Sequence, residues 1–309
     1  SVVREQGMLN SLSISETEDT GRVSGRFRRI RFRDIIRGVP WIPVTILLVF
    51  LICGVFGSFI TPHDPMKTNL SKAKTPPFFQ KAGSTKYLLG TDAIGRDILS
   101  RIIRGAGVSL QVGFAVVVFA GALGALIALL SAYLGGWVDV VLMRITDMFL
   151  SMPYLIIAIA LAAVIGPSKN NIILIMAVLG WAGYARILRG EVLRIKGADF
   201  IKLAIVARAG KARIMFQHIF PNIVNTLVVL ATLQLGNVII MESSLSFLGL
   251  GVPPPEPAWG SMVADGRVIM NSAWWVSTWP GIAILLVVLS SNLFGDWLRL
   301  RLDPKFRQL

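Results

Sequence analysis

From Gly105 to Val138 the chain carries no charged side chain. That run is longer than the roughly 20 residues a helix needs to cross the hydrocarbon core, so a helix built from it is tilted or protrudes from the bilayer. Further apolar runs cover Trp41–Ile60, the stretch from Asp139 to Ile165, Asn171–Ala185, Ile223–Met241 and Pro280–Phe294. Of the 309 residues, 54% are hydrophobic, and they are clumped in these runs rather than spread at globular periodicity. The sequence therefore predicts an all-α membrane protein with six transmembrane helices.

The formal net charge of +14 does not point to nucleic acid, because the cations sit in loops and tails beside the spans. Anionic lipid and topology account for them there. Cys53 is the only cysteine and His63 and His218 are the only histidines, so no disulfide framework and no Cys/His metal motif is present in the sequence. Ala209-Gly210-Lys211-Ala212 lacks the earlier glycine and the Ser/Thr of a phosphate-binding loop. The expectation is a chain with no catalytic residues, no metal and no nucleotide site of its own.

Taken in order, 1–40 reads as a tail. Ser1–Thr20 is polar and aperiodic, predicts disorder, and lacks the basic start and apolar centre of a signal peptide. Phe32, Ile35, Ile36 and Val39 share a helical face among arginines. That suits either an interfacial helix on anionic lipid or a plain positive anchor before the span 41–60. Residues 61–104 are polar, carry Pro76-Pro77, read as too irregular for a core of their own, and are placed outside. In Gly105–Val138, Gly121, Gly124, Ala125, Ala128 and Ala132 form a small-residue face that lets another helix approach closely. Gly135-Gly136 makes a turn. Arg144 stands three residues before Asp147, which suggests a helical ion pair, and Pro153 predicts a kink.

Between the fourth and fifth spans, 185–222 is strongly basic yet patterned. Phe200, Leu203, Ala204 and Ala207 recur at helical spacing, and Ile214, Met215, Phe216, Ile219 and Phe220 follow. Two readings fit: a cytoplasmic docking surface, or surface helices lying on anionic lipid. In the fifth span Asn225, Gln234 and Asn237 cannot face lipid cheaply, so they face a cavity or a helix. Glu242 either touches substrate or is a hydrogen-bonded carboxylate. Leu248–Pro257 breaks the helix, and Trp259 opens a short re-entrant segment that is a candidate outer gate. Trp274, Trp275 and Trp279 suggest an interfacial belt. The basic N-tail, the 185–222 loop and Arg299, Arg301, Lys305 and Arg307 in 299–309 together predict N-in, C-in.

Four segments then resemble one family. They are Leu89-Gly-Thr-Asp-Ala-Ile-Gly-Arg-Asp-Ile-Leu-Ser-Arg101, then Tyr133-Leu-Gly-Gly-Trp-Val-Asp139 with Asp147 and Pro153, then Leu245-Ser-Phe-Leu-Gly-Leu-Gly251 with Trp259-Gly260, and last Gly295-Asp296 with Leu302-Asp303-Pro304. Together they resemble the C-type permease subunit of dipeptide/oligopeptide ABC importers. The resemblance implies a type I ABC importer permease fold with its core in 105–298, in a bacterial or archaeal inner membrane. It implies a second, B-type permease subunit, two cytoplasmic ATPase subunits holding ATP and Mg, and an extracytoplasmic substrate-binding protein, with lipid as the remaining partner. It also implies that a coupling helix in 185–222 docks on an ATPase. The family's Glu-Ala-Ala falls on Lys202-Leu203-Ala204, with Ala207, Arg208, Gly210 and Arg213 beyond. Arg208 stands where a glycine is expected, and the glutamate is missing. Carriage of nickel, glutathione or oligosaccharide by the same machinery is an alternative. An ion-coupled secondary transporter would want an internal repeat and charges at mid-membrane, and the sequence offers neither.

Overall fold

The computed structural model describes residues 38–302. The expected tail helix and the terminal Asp303-Pro304, Lys305 and Arg307 lie outside the described residues. Among the described residues, besides a 3-10 turn at Leu70–Lys72, nine helices follow one another: α1 Trp41–Ile60, α2 Ile98–Leu134, α3 Gly136–Ser151, α4 Tyr154–Ile165, α5 Lys169–Lys196, α6 Asp199–Val206, α7 Lys211–Phe247, α8 Trp259–Val268 and α9 Trp275–Leu302. Among the described residues there is no β-strand, only an isolated bridge between Thr91 and Asp97. Helices α1, α2, α5, α7 and α9 are each long and apolar enough to cross a membrane. The pair α3 and α4, bent by 85° at its break, makes a sixth if taken as one broken span. Pro153 thus ends one helix and caps the next, where the sequence suggested only a kink.

The small-residue face of α2 is buried inside the chain. Its partner is α5, and this is the most extensive helix pairing in the fold. At Gly124 a Cβ would stand 2.5 Å from Tyr184 Cβ and 2.7 Å from the Trp181 carbonyl oxygen, so only glycine permits this approach. Ala125, Ala128 and Ala132 are buried beside it. The helix that this face admits is therefore one of the same chain.

The segment 61–97 is irregular in backbone yet tied down by side chains. Asp97 caps α2, accepting from Ser100 N at 3.1 Å and Ser100 Oγ at 2.5 Å, and His63 Nδ1 lies 3.2 Å away. Asp92 accepts from the backbone N–H groups of Ile94 and Arg96 and pairs with Arg96 Nε at 2.6 Å. The first family-like motif is thus a turn held by its own two carboxylates. Trp275 is buried and donates to the Thr91 carbonyl at 3.1 Å. Together with Trp274, Trp279 and Phe79 it forms an aromatic cluster against this cap. Trp275 is therefore a packing residue rather than part of a lipid-facing belt.

Near the C-terminal end of α7, Glu242 is fully buried and accepts from Ser246 Oγ at 2.7 Å, with Ser109 and Ser243 hydroxyls at 3.4 and 3.5 Å. That is the hydrogen-bonded alternative for this carboxylate. The chain then returns so closely that a Cβ on Gly260 would overlap the Ser243 carbonyl oxygen. Trp259 is buried, packs on Phe50 and donates to the Ile102 carbonyl at 2.9 Å.

Candidate functional site: a basic elbow and a cavity between helices

The basic stretch is built differently from a loop. Helix α5 does not stop at Ala185 but runs on to Lys196. Its cations are absorbed by neighbours. Arg189 holds Asp139 through Nε at 2.7 Å and Nη2 at 2.5 Å, and Arg186 pairs with Asp147. Lys196 Nζ reaches the Ala132 and Tyr133 carbonyls at 3.0 and 2.8 Å, where the last turn of α2 leaves them without helical partners. The anticipated Arg144–Asp147 pair does not form. Asp147 turns to Arg186 on α5, so its ion pair joins two helices instead of bracing one. Asp139 and Asp147 carried no sequence signal that names these partners, because the pairing spans roughly 40 to 50 residues of intervening helix.

Beyond Gly197, α6 is pinned by Ile201, which is fully buried against Ile195, Ile214 and Ile219. Ala204, one turn on, packs on the same core. Of the residues that recur at helical spacing, Ala204 faces this core while Phe200 and Leu203 are 46% and 68% exposed, and Val206 beside them is 80% exposed. The reason is that α6 carries apolar residues on more than one face, and the Ile201–Ala204 side meets the ends of α5 and α7. Lys202 pairs with Asp199 at the surface. Ala207, Gly210 and Arg213 are exposed, and Arg213 donates to Gln217.

The end of α6 identifies the glycine slot. Arg208 N–H donates to the Ile205 carbonyl and Ala209 N–H to the Ala204 carbonyl, at 2.9 and 3.0 Å. That double closure requires a left-handed residue at the first position, and Arg208 has φ +55°. Arg208 therefore occupies the backbone conformation that suits glycine. Helix α7 then starts at Lys211 and carries a π-turn over Ile214–Ile219. Pro221 follows, lacking an N–H and crowding the carbonyl four residues back, and the wider π-turn takes up that misfit.

A cavity of about 200 Å3 lies between α2, α4, α5 and α7. Gln234 and Asn237 line it, together with Tyr154, Met176, Tyr184 and Met241. Asn225 is exposed and lies outside it, as do the buried Glu242 and Trp259. Tyr154 and Tyr184 went unnoticed in the sequence. Their signal is a phenol inside an apolar run, which needs a partner for its hydroxyl. Tyr154 Oη donates to the Met176 carbonyl at 3.2 Å. Among the described residues no group of three His, Cys, Asp or Glu side chains is placed to hold a metal ion.

A family model for the binding-protein-dependent transport system inner membrane component matches residues 120–308. The di/tripeptide transport system permease protein of Pseudomonas aeruginosa is 39% identical over 261 residues, covering 84% of this chain and 86% of that protein. The dipeptide transport system permease protein of Escherichia coli K12 is 42% identical over 262 residues, covering 85% and 87%. That of Haemophilus influenzae is 40% identical over 265 residues, covering 86% and 90%. With apolar helices able to span a membrane and a family match over most of its core, this chain belongs to the inner membrane components of binding-protein-dependent transport systems.

Proposed function

We propose that the chain is the translocation subunit of an ATP-driven importer of di- and oligopeptides, crossing the inner membrane six times with both termini inside. The peptide assignment rests on the names of the relatives. ATP and Mg belong to two cytoplasmic ATPase subunits. A B-type permease completes the path, and a soluble receptor delivers substrate. The observation that carries the reading is the outward apolar stripe of α6, Phe200, Leu203 and Val206, on an elbow whose arginines and lysine are braced against α2 and α3. An exposed apolar stripe on a helix fixed from behind is a surface that fits a partner cleft. Closure of the ATPases then moves α6, and with it α5 and α7, because Ile201 ties the three together. ATP acts as the ligand that binds one state of the assembly better than the other.

The test is Leu203→Asp in the purified complex, in proteoliposomes with the receptor. ATP hydrolysis should persist while receptor-dependent uptake falls at least about tenfold, the cost of a charge set into an apolar contact. Unchanged uptake sinks the docking role. Orientation is tested separately: in a Cys53→Ser background, Lys72→Cys should react with an impermeant thiol reagent from outside and Ala212→Cys only from inside.

A further inference from the structure

Every side chain identified on the cavity wall is neutral, and its polar groups are not used up. Asn237 Nδ2 donates to Gln234 Oε1 at 2.7 Å. That leaves the Gln234 amide nitrogen as a donor and Asn237 Oδ1 as an acceptor, with no other partner among the described residues. Turning both amides over exchanges the roles and again leaves one donor and one acceptor. Tyr184, whose ring lies beside Gly121 and whose Cβ lies against Gly124, carries a buried hydroxyl with no hydrogen-bond partner. A buried orphan of this kind is costly in a protein interior and more so at membrane depth, which makes it a group waiting for a ligand.

We infer that Gln234, Asn237 and Tyr184 form a transit site for the peptide bond of the substrate. A secondary amide presents one C=O acceptor and one N–H donor, the complement of the free Gln234 nitrogen and Asn237 oxygen. The Tyr184 hydroxyl is a second donor for the carbonyl. The cavity has room for roughly six waters at about 30 Å3 each, enough for one peptide unit with a small side chain. Recognition of the backbone alone, by groups without charge, admits many side chains and holds none of them tightly. This inference rests on the peptide-importer reading and adds to it the part of the substrate that the permease recognises.

The experiment compares dialanine with its depsipeptide, in which an ester oxygen replaces the amide N–H. Both are delivered by saturating receptor to the complete complex in proteoliposomes, and turnover is read at saturation so that receptor affinity does not enter. Wild-type turnover should be roughly fivefold lower for the depsipeptide, the effect of one lost hydrogen bond. The double variant Gln234→Leu, Asn237→Leu should lower dialanine turnover by about the same factor and erase the difference between the probes. Tyr184→Phe should lower dialanine turnover roughly threefold with an unchanged or raised Tm, since it removes an unsatisfied hydroxyl. Equal wild-type turnover of the two probes, or wild-type dialanine turnover in both the double variant and Tyr184→Phe, overturns the site. A wild-type complex that hydrolyses ATP and imports neither probe instead removes the peptide-importer reading on which the site rests.

Discussion

Helices α6 and α7 end in the same hydrogen-bond pattern and have opposite surroundings. At α7, Gly249 N–H donates to Ser246 and Leu250 N–H to Leu245, at 3.1 and 3.0 Å, with Gly249 at φ +78°. At α6 the pattern is repeated with Arg208 in the left-handed position. Beyond Gly249 the chain turns inward: Val252, Ala258 and Trp259 are buried and Gly260 fits against Ser243 without room for a methyl group. Around Arg208 the apolar groups Phe200, Leu203 and Val206 stay outside. The end of α7 is covered within this chain, whereas around the end of α6 the apolar side chains are left exposed. An arginine at a glycine position carries a strain of roughly 1 kcal/mol.

The contrast is broken most severely beyond the end of α7. Gly260→Val should destabilise the chain by about 3 kcal/mol or more, since backbone on backbone cannot yield, and thermal unfolding in detergent reads this directly. Within α6 the two stripes separate next. Ile201→Ala should cost about 2–4 kcal/mol, whereas Leu203→Ala, two residues on and on the opposite face, stays within about 0.5 kcal/mol in the isolated chain. Equal losses would mean that α6 has no outer face. The smallest effects sharpen the comparison between helix ends: Gly249→Ala should destabilise by about 1 kcal/mol, because nothing but its φ objects to a Cβ, and Arg208→Gly should stabilise by about the same amount. Same-signed shifts would show that the two ends do not share a backbone.

Much of the fold was legible. Trp41–Ile60 is uncharged, follows a proline and ends before Thr61-Pro62, and the helix has those bounds. Gly135-Gly136 turns the chain with φ of +68° and +53°. The apolar run Asn171–Ala185 is shorter than the helix Lys169–Lys196 because Arg186 and Arg189 have the composition of a loop. They continue the helix because Asp147 and Asp139 on α3 neutralise them. Likewise, 61–97 lacks periodicity, so its order was invisible. That order comes from Asp92 and Asp97 gathering backbone N–H groups, which leaves no repeating apolar signature. On the cavity wall Gln234 and Asn237 were readable as polar residues in an apolar run, whereas Tyr184 and Tyr154 enter it only because α2, α4, α5 and α7 converge.

By itself the sequence determined that this chain is built from membrane-spanning helices, where they lie, and that a basic, patterned segment separates two of them. These are properties of neighbouring residues, since hydrophobicity, helical period and turn chemistry act over one or two turns. Only the tertiary structure decided which of two apolar stripes on α6 is buried, which carboxylate each arginine takes, and which polar groups inside the membrane remain without partners. Those outcomes depend on contacts between residues tens of positions apart, and a helix of given composition accepts several such pairings until close packing at sites such as Gly124 and Gly260 leaves room for one.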